Sequence, residues 1–242
     1  MHPLVLCYHA VSDGWSHQLS VGPAALEGQL RSLRRRGYRG VGAEAALDGG
    51  RRGLHVTFDD AFRSVTNALP VLERMDIPAT VFACAAFADE GRPLDVPELA
   101  AEARAHPQEL ATMSWDELRG LVERGVEIGS HTVNHPHLPR LSDAEINNEL
   151  ADSRARLEEG LGRPCNFLAY PYGEHDERVR AAARRAGYAG AFALASTAPR
   201  LRDPYALPRV DLYRKDGSIS TMLKTSFLRR PTAALRRVVP PG

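Results

Sequence analysis

The sequence predicts a parallel α/β fold, and three observations carry that expectation. Short apolar runs alternate with amphipathic stretches along the chain, the pattern of strand–helix repeats. Residues able to do chemistry follow directly on the ends of several apolar runs, where parallel α/β folds place their sites. The length of 242 residues fits one large domain or two small ones, and a single (β/α) barrel typically needs about 250.

The runs Leu4–Tyr8, Leu54–Phe58, Ala79–Ala83, Val126–Ser130, Phe167–Tyr170, Gly190–Leu194 and Ala206–Val210 read as strands. The stretch Ala24–Arg36 places Leu26, Leu30 and Leu33 on one helical face, and Asn67–Met75 carries Leu69 and Leu72 in the same way. Ser114-Trp-Asp-Glu117 and Ser142-Asp-Ala-Glu145 are capping-box patterns that each open a helix. Leu141 and Ile146 are spaced for a hydrophobic staple across the second. Gly125 and Gly187 mark helix ends. The least regular segment, Ala88–Ala111, is rich in Glu, Ala and Pro and reads as a loop with an inserted helix. It is either a substrate-shaping lid or surface decoration.

The formal net charge is +1, so no global field argues for nucleic acid. Cys7, Cys84 and Cys165 are odd in number and lie in apolar runs, which favours buried reduced thiols over disulfides or a zinc cluster. The N-terminus lacks a basic region and its apolar run is short, so the expectation is a cytoplasmic protein without signal peptide or membrane-spanning segment. From Arg214 onward Arg214, Lys215, Lys224, Arg229, Arg230, Arg236 and Arg237 stand against Asp216 alone. Residues 214–242 therefore read as a basic C-terminal extension to a domain at 1–213. It is either simply solvated or in peripheral contact with an anionic surface.

Two patches could hold a metal. Thr57-Phe58-Asp59-Asp60 ends a strand, and adjacent side chains there point in different directions. One carboxylate can bind a cation while the other faces a substrate, or the pair can simply cap the next helix. His131 and His135 follow another strand, at a spacing that would bring both imidazoles to one face of a helical turn before Pro136 breaks it. Carboxylate and imidazole donors suit zinc, and also cobalt, nickel or iron. His137 is a weaker candidate. A third patch, Ala169-Tyr170-Pro171-Tyr172-Gly173, ends a further strand in an irregular loop. Its amides could face an oxyanion, or it could be a plain turn with packed tyrosines.

In their order and spacing, Thr57-Phe58-Asp59-Asp60, His131-Thr-Val-Asn-His135 and Tyr170-Pro171-Tyr172-Gly173 resemble the motifs of the polysaccharide deacetylases, the NodB-homology group or carbohydrate esterase family 4. The opening Leu6-Cys7-Tyr8-His9-Ala10-Val11 and the stretch Ser114–Leu138 are similar to the same family, and the likeness runs from about Pro3 to Leu212. The resemblance implies a distorted, incomplete (β/α) barrel in a single domain and one divalent metal, usually zinc. It implies Asp60, His131 and His135 as ligands, Asp59 as catalytic base, and the Tyr172 amide at the oxyanion. The implied substrate is an N-acetylated amino sugar in a glycan or glycan precursor; with a cytoplasmic location, a lipid-linked or nucleotide-linked one.

The sequence departs from the family at two places. Ala169 stands where many members carry an Arg that orients the base. Leu207-Pro208-Arg209 stands where many carry Leu-x-His, the source of the general acid, and no histidine follows His175. Arg209 could replace the missing partner of the base or form a local salt bridge, and it is too basic to be an ordinary proton donor. His9 could act as acid or substrate contact, or be a core histidine. Asp211 and Tyr172 are lesser candidates for the acid. A deformylase or O-acetyl esterase on the same scaffold, a non-catalytic carbohydrate-binding protein and a purely structural protein are the competing readings. The oligomeric state is open.

Overall fold

A computed structural model describes residues 3–48, 52–198 and 203–227. Its strands are β1 (Leu4–Tyr8), β2 (Arg39–Gly40), β3 (Gly53–Phe58), β4 (Ala79–Ala83), β5 (Glu127–Ser130), β6 (Phe167–Ala169), β7 (Gly190–Leu194) and β8 (Leu207–Asp211). All pair in parallel, in the order β1-β8-β7-β6-β5-β4-β3-β2, and β1 also pairs with β3. That extra pairing closes seven strands into a ring and leaves β2 outside it, beside β3. The result is the distorted, incomplete barrel. Its weakest seam is β5–β6, where a single register pair, Ser130 with Leu168, joins the strands.

Every strand expected from the sequence is present, with ends shifted by a residue at most. The helices are α1 (Pro23–Arg35), α2 (Ala43–Asp48), α3 (Leu69–Met75), α4 (Ala100–Ala105), α5 (Trp115–Glu123), α6 (Asp143–Leu161), α7 (Glu177–Arg185) and α8 (Ser218–Phe227). A 3-10 segment, Arg63–Ala68, precedes α3 and takes up the start of the helix expected from Asn67. Both capping boxes form: the Ser114 and Ser142 hydroxyls accept from the N–H of Glu117 and Glu145, whose carboxylates accept in return. Gly125 and Gly187 end their helices with φ of 79° and 86°. Leu141 packs against the core beside the buried Ile146. Ser142→Ala should lower stability by about 1 kcal/mol, read as a reduced urea midpoint with an unchanged slope.

Side-chain alternation builds the inside of the ring. Val5, Phe82, Phe167, Ala169, Phe192 and Leu207 form one apolar cluster there, with His55 stacked on Phe192 at 6.3 Å. A Cβ on Gly129 would lie 2.4 Å from the Phe82 ring, so only glycine lets that ring fill the interior. The larger cluster, including Leu26, Leu30, Leu33, Leu118, Leu150 and Val179, packs the helices on the outside. Two or four residues further along the same inward-facing rows come Cys7, His9, Thr57, Asp59, His131 and Arg209, at the C-terminal rim. The alternation that fills the barrel thus aims polar groups at its mouth.

The inserted segment between β4 and α5 carries its own apolar cluster, in which Phe87, Leu94, Val96, Leu99 and Leu110 pack with Trp15 and Phe62. Trp15 Nε1 also donates to Glu102 on α4 at 2.7 Å. Helix α8, in what the sequence reads as an extension, is docked on α1: Arg36 donates to Thr225 Oγ1 at 3.1 Å. Arg229, Arg230, Arg236 and Arg237 lie outside the described residues.

Candidate active site

Asp59 directly follows β3 and points into the barrel mouth. Its partner there is Arg209 on β8, which reaches across β1. Nη1 donates to Asp59 Oδ1 at 2.6 Å and Nη2 to Oδ2 at 2.8 Å. The same guanidinium donates to Thr57 Oγ1 at 3.0 Å, and the Cys7 thiol donates to Asp59 Oδ2 at 3.4 Å. Both members of the pair are buried, Arg209 with no exposure at all. Burial alone would raise the Asp59 pKa, but the charge and hydrogen bonds of Arg209 outweigh it, and the carboxyl is held well below its ordinary range. A bidentate guanidinium fork is the geometry that does this.

Asp60 turns the other way because its backbone is left-handed, with φ of 68°. Its Oδ1 lies 3.6 Å from His131 Nε2 and 3.4 Å from His135 Nε2. The histidines do not share a helical turn, and that expectation is corrected here. His131 directly follows β5, and a loop with left-handed Thr132 (φ 72°) and His135 (φ 59°) brings the second ring round to meet the first. The Thr132 hydroxyl accepts the His135 N–H at 3.0 Å and braces that loop. The two rings meet edge to face at 4.9 Å.

This trio fits a divalent cation on its own chemistry. Burial lowers the pKa of both imidazoles, so they are neutral rather than paired to Asp60 as cations. His131 Nδ1 donates to the Ala169 carbonyl at 2.8 Å, which makes Nε2 a bare lone pair aimed at Asp60. Asp60 Oδ1 is buried without a hydrogen-bond donor, and burial followed by the nearby Asp59 charge pushes its pKa well up. Lone pairs converging on a donorless carboxylate oxygen are what a cation would resolve. Asp60, His131 and His135 form a group able to hold a metal ion.

His9 lies close enough to Asp59 and Cys7 for the three to offer mutually neighbouring donor atoms. Its ring is half-buried, with Nδ1 buried and unpartnered, and desolvation pushes its pKa down to about 4. Tyr172 sits in the middle of a short 3-10 turn, Pro171–Gly173, with a left-handed φ of 59°. The neighbouring N–H groups of Tyr170, Gly173 and Glu174 are taken up by the carbonyls of Phe192, Tyr170 and Pro171. The Tyr172 ring meets His135 edge to face at 4.6 Å.

His137 stands apart from the Asp60 group and does something the sequence did not indicate. It stacks on Tyr172 at 4.0 Å with an interplanar angle of 9°. Nδ1 lies 2.9 Å from Glu174 Oε2 and Nε2 lies 3.1 Å from Glu98 Oε1. A carboxylate on each ring nitrogen favours the doubly protonated, imidazolium form of the ring. Glu98 also accepts from the Tyr172 hydroxyl at 2.7 Å, so the inserted segment is tied to the rim beside the two histidines. Desolvation lowers the His137 pKa, but the bonds from Glu174 and Glu98 raise it more, and the net shift is upward. Stabilisation from a raised histidine is complete below its ordinary value of 6.5 and is lost as pH rises through the higher folded value. Hydrogen-exchange protection of residues 94–110, corrected for intrinsic rates, should therefore fall above that value, and Glu98→Gln should flatten the dependence. Equal protection on both sides would show that the clamp does not hold the insert.

Sequence reading did not single out the Cys7 and Thr57 contacts, although both sit two residues before His9 and Asp59 and so face the same way. Glu98 and Glu174 carried no signal, being exposed acids among many.

The chain is thus a closed parallel barrel with a carboxylate–imidazole trio and a guanidinium-locked carboxylate at its C-terminal mouth. The polysaccharide deacetylase family profile matches residues 47–191, and the chain belongs to that family. It is 26% identical over 215 residues to YxkH of Bacillus subtilis, covering 85% of this chain and 70% of that protein. It is 28% identical over 143 residues to the chitooligosaccharide deacetylase of a Bradyrhizobium strain, covering 58% and 55%. Among solved structures, IcaB from Ammonifex degensii superposes with a TM-score of 0.76 at 25% identity, covering 93% of this chain and 97% of that one.

Proposed function

We propose that the protein is a metal-dependent N-deacetylase that removes acetyl from an N-acetylated amino sugar in a glycan or glycan precursor. The observation that carries this reading is the division between the two carboxylates. Asp59 is locked as an anion by Arg209, while Asp60 lacks a donor between two neutral imidazoles. A binding protein needs no second, ionised carboxylate beside such a group.

Asp60, His131 and His135 would hold the cation, zinc by donor type with cobalt, nickel or iron as alternatives, and bound there it would polarise the acyl carbonyl and acidify a water. Asp59 accepts a proton as water adds to the carbonyl carbon. Arg209 keeps Asp59 ionised and fixes its direction. The Tyr172 N–H is assigned to the developing oxyanion. Breakage of the carbon–nitrogen bond then requires a proton on the departing amine, and we assign its relay to His9. The products are acetate and a free amino sugar.

The three free, buried thiols support a reducing compartment such as the cytoplasm, and so a lipid-linked or nucleotide-linked substrate. Acetate release from N-acetylhexosamine oligomers and precursors, with zinc or cobalt supplied, tests the reading. No release from any of them would overturn it.

An O-acetyl esterase is a second reading, favoured by His9. With its pKa near 4 the ring is neutral at ordinary pH, and an alkoxide leaves with less help than an amine. Matched N-acetyl and O-acetyl sugars should separate the two: the amidase reading requires turnover of the N-acetyl compound, and turnover of the ester alone would favour the second reading.

A further inference from the structure

The last described helix, α8, is inside out. Its buried side chains include Thr221 and Thr225, while Ile219, Met222 and Leu223 are 73%, 43% and 54% exposed. These three are the exposed large hydrophobic residues among the described residues. They stand at i, i+3 and i+4 and so share one face of the helix. The Thr225 hydroxyl is satisfied, donating to the Thr221 carbonyl at 2.8 Å and accepting from Arg36 on α1, whereas Thr221 Oγ1 is buried without a partner. Lys224 anchors the helix base through Asp216 Oδ2 at 2.6 Å and the Asp211 carbonyl at 3.0 Å. The helix is therefore pinned with its apolar side facing outward, an orientation that packing on the barrel alone does not require.

The one acid in the sequence from Arg214 onward, Asp216, is buried and paired with Lys224, so the exposed charges flanking the helix in sequence are basic. Lys215 precedes it, exposed. Arg35, also exposed, ends the α1 helix on which α8 is docked. Beyond α8 the sequence supplies Arg229, Arg230, Arg236 and Arg237 and no acid through residue 242. An apolar helix face with exposed basic residues beside it and a basic sequence after it complements a surface that offers acyl chains below anionic headgroups. A neutral protein surface would leave the arginines without counter-charges.

We infer that α8 and the basic segment after it form a docking surface for an anionic lipid bilayer. Ile219, Met222 and Leu223 enter the interface, and the basic sequence that follows supplies charge complementary to the phosphates. No described helix is long and apolar enough to span a membrane, so the contact is peripheral. The inference is independent of the chemistry at Asp59 and Asp60, because neither carboxylate touches α8.

Co-sedimentation of the whole chain with vesicles tests it. Vesicles rich in phosphatidylglycerol should pull the protein down, and pure phosphatidylcholine vesicles should not. Ile219→Ser/Met222→Ser/Leu223→Ser should weaken binding by at least about tenfold. Arg229→Gln/Arg230→Gln/Arg236→Gln/Arg237→Gln should weaken it by about a hundredfold or more. Raising salt to about 1 M shortens the Debye length to about 3 Å and should release the wild-type protein. Circular dichroism and turnover of a water-soluble substrate should match wild type in both variants. Absence of binding to the anionic vesicles overturns the inference. So does binding that neither variant changes, or a dimer in sedimentation equilibrium that the triple-serine variant abolishes, which would make a second copy the occupant.

Discussion

Arg209→Met will destabilise the protein by about 3–5 kcal/mol, because it strands a buried carboxylate without its counter-charge. The partner, Asp59, is 4% exposed, and the guanidinium meets both its oxygens. Changing both residues, Arg209→Met with Asp59→Leu, should recover most of that loss, since apolar groups of similar volume replace a buried pair at little net cost. Neither variant should turn over substrate at the wild-type rate. Loss of the base alone typically costs about 10²–10⁴-fold. The pH dependence separates positioning from packing. Asp59 has a folded pKa below its ordinary 3.8, so its contribution to stability is present above that value and is lost as pH falls through the lower folded one. Without Arg209 the folded pKa rises. Urea midpoints followed by circular dichroism should then show the deficit of Arg209→Met narrowing as pH falls, because the variant no longer loses stability by protonating Asp59, while the acidic limb of the rate profile should move to higher pH. An unchanged limb with an otherwise folded variant would assign Arg209 to packing alone.

The second large effect is a reversal of sign at Asp60. Asp60→Asn should stabilise the metal-free protein, because it removes a carboxyl whose ionised form is disfavoured by burial and by Asp59 and which has no donor on Oδ1. With cation present the order should invert. Zinc at one hundred times its dissociation constant would stabilise the wild type by about 2.7 kcal/mol, and the variant should gain little. Thermal melts with and without added zinc, with isothermal titration to fix affinity, read both halves. Equal zinc-induced shifts in the two proteins would place the cation elsewhere.

Much of this architecture was legible because barrel strands carry strong local signals. Leu4–Tyr8 and Ala79–Ala83 are unbroken apolar runs, and both capping boxes announce their helices at the right residue. Strand β2 escaped because two residues, Arg39 and Gly40, have no period to detect. The Asp59–Asp60 split was readable from strand alternation. The convergence of His131 and His135 was expected for a wrong geometric reason: a four-residue spacing suggests a helix, while left-handed residues achieve the same meeting in a loop. The Arg209–Asp59 contact spans 150 residues of sequence, and only strand order around the ring reveals that β8 lies one strand from β3. The Glu98–His137–Glu174 clamp depends on where an irregular insert settles, which no local pattern encodes.

Five residues other than glycine hold left-handed backbone at the mouth of the barrel: Asp60, Ala61, Thr132, His135 and Tyr172. Such conformations cost about 1–3 kcal/mol each. A screen for heat-tolerant variants would therefore find its easiest gains at this rim, with Ala61→Gly the first, since that side chain does no chemistry. Each such gain would also free the chain to swing the neighbouring carboxylate off target. Heat tolerance and turnover in this barrel draw on the same few backbone angles, and selection for one should be visible as a loss in the other.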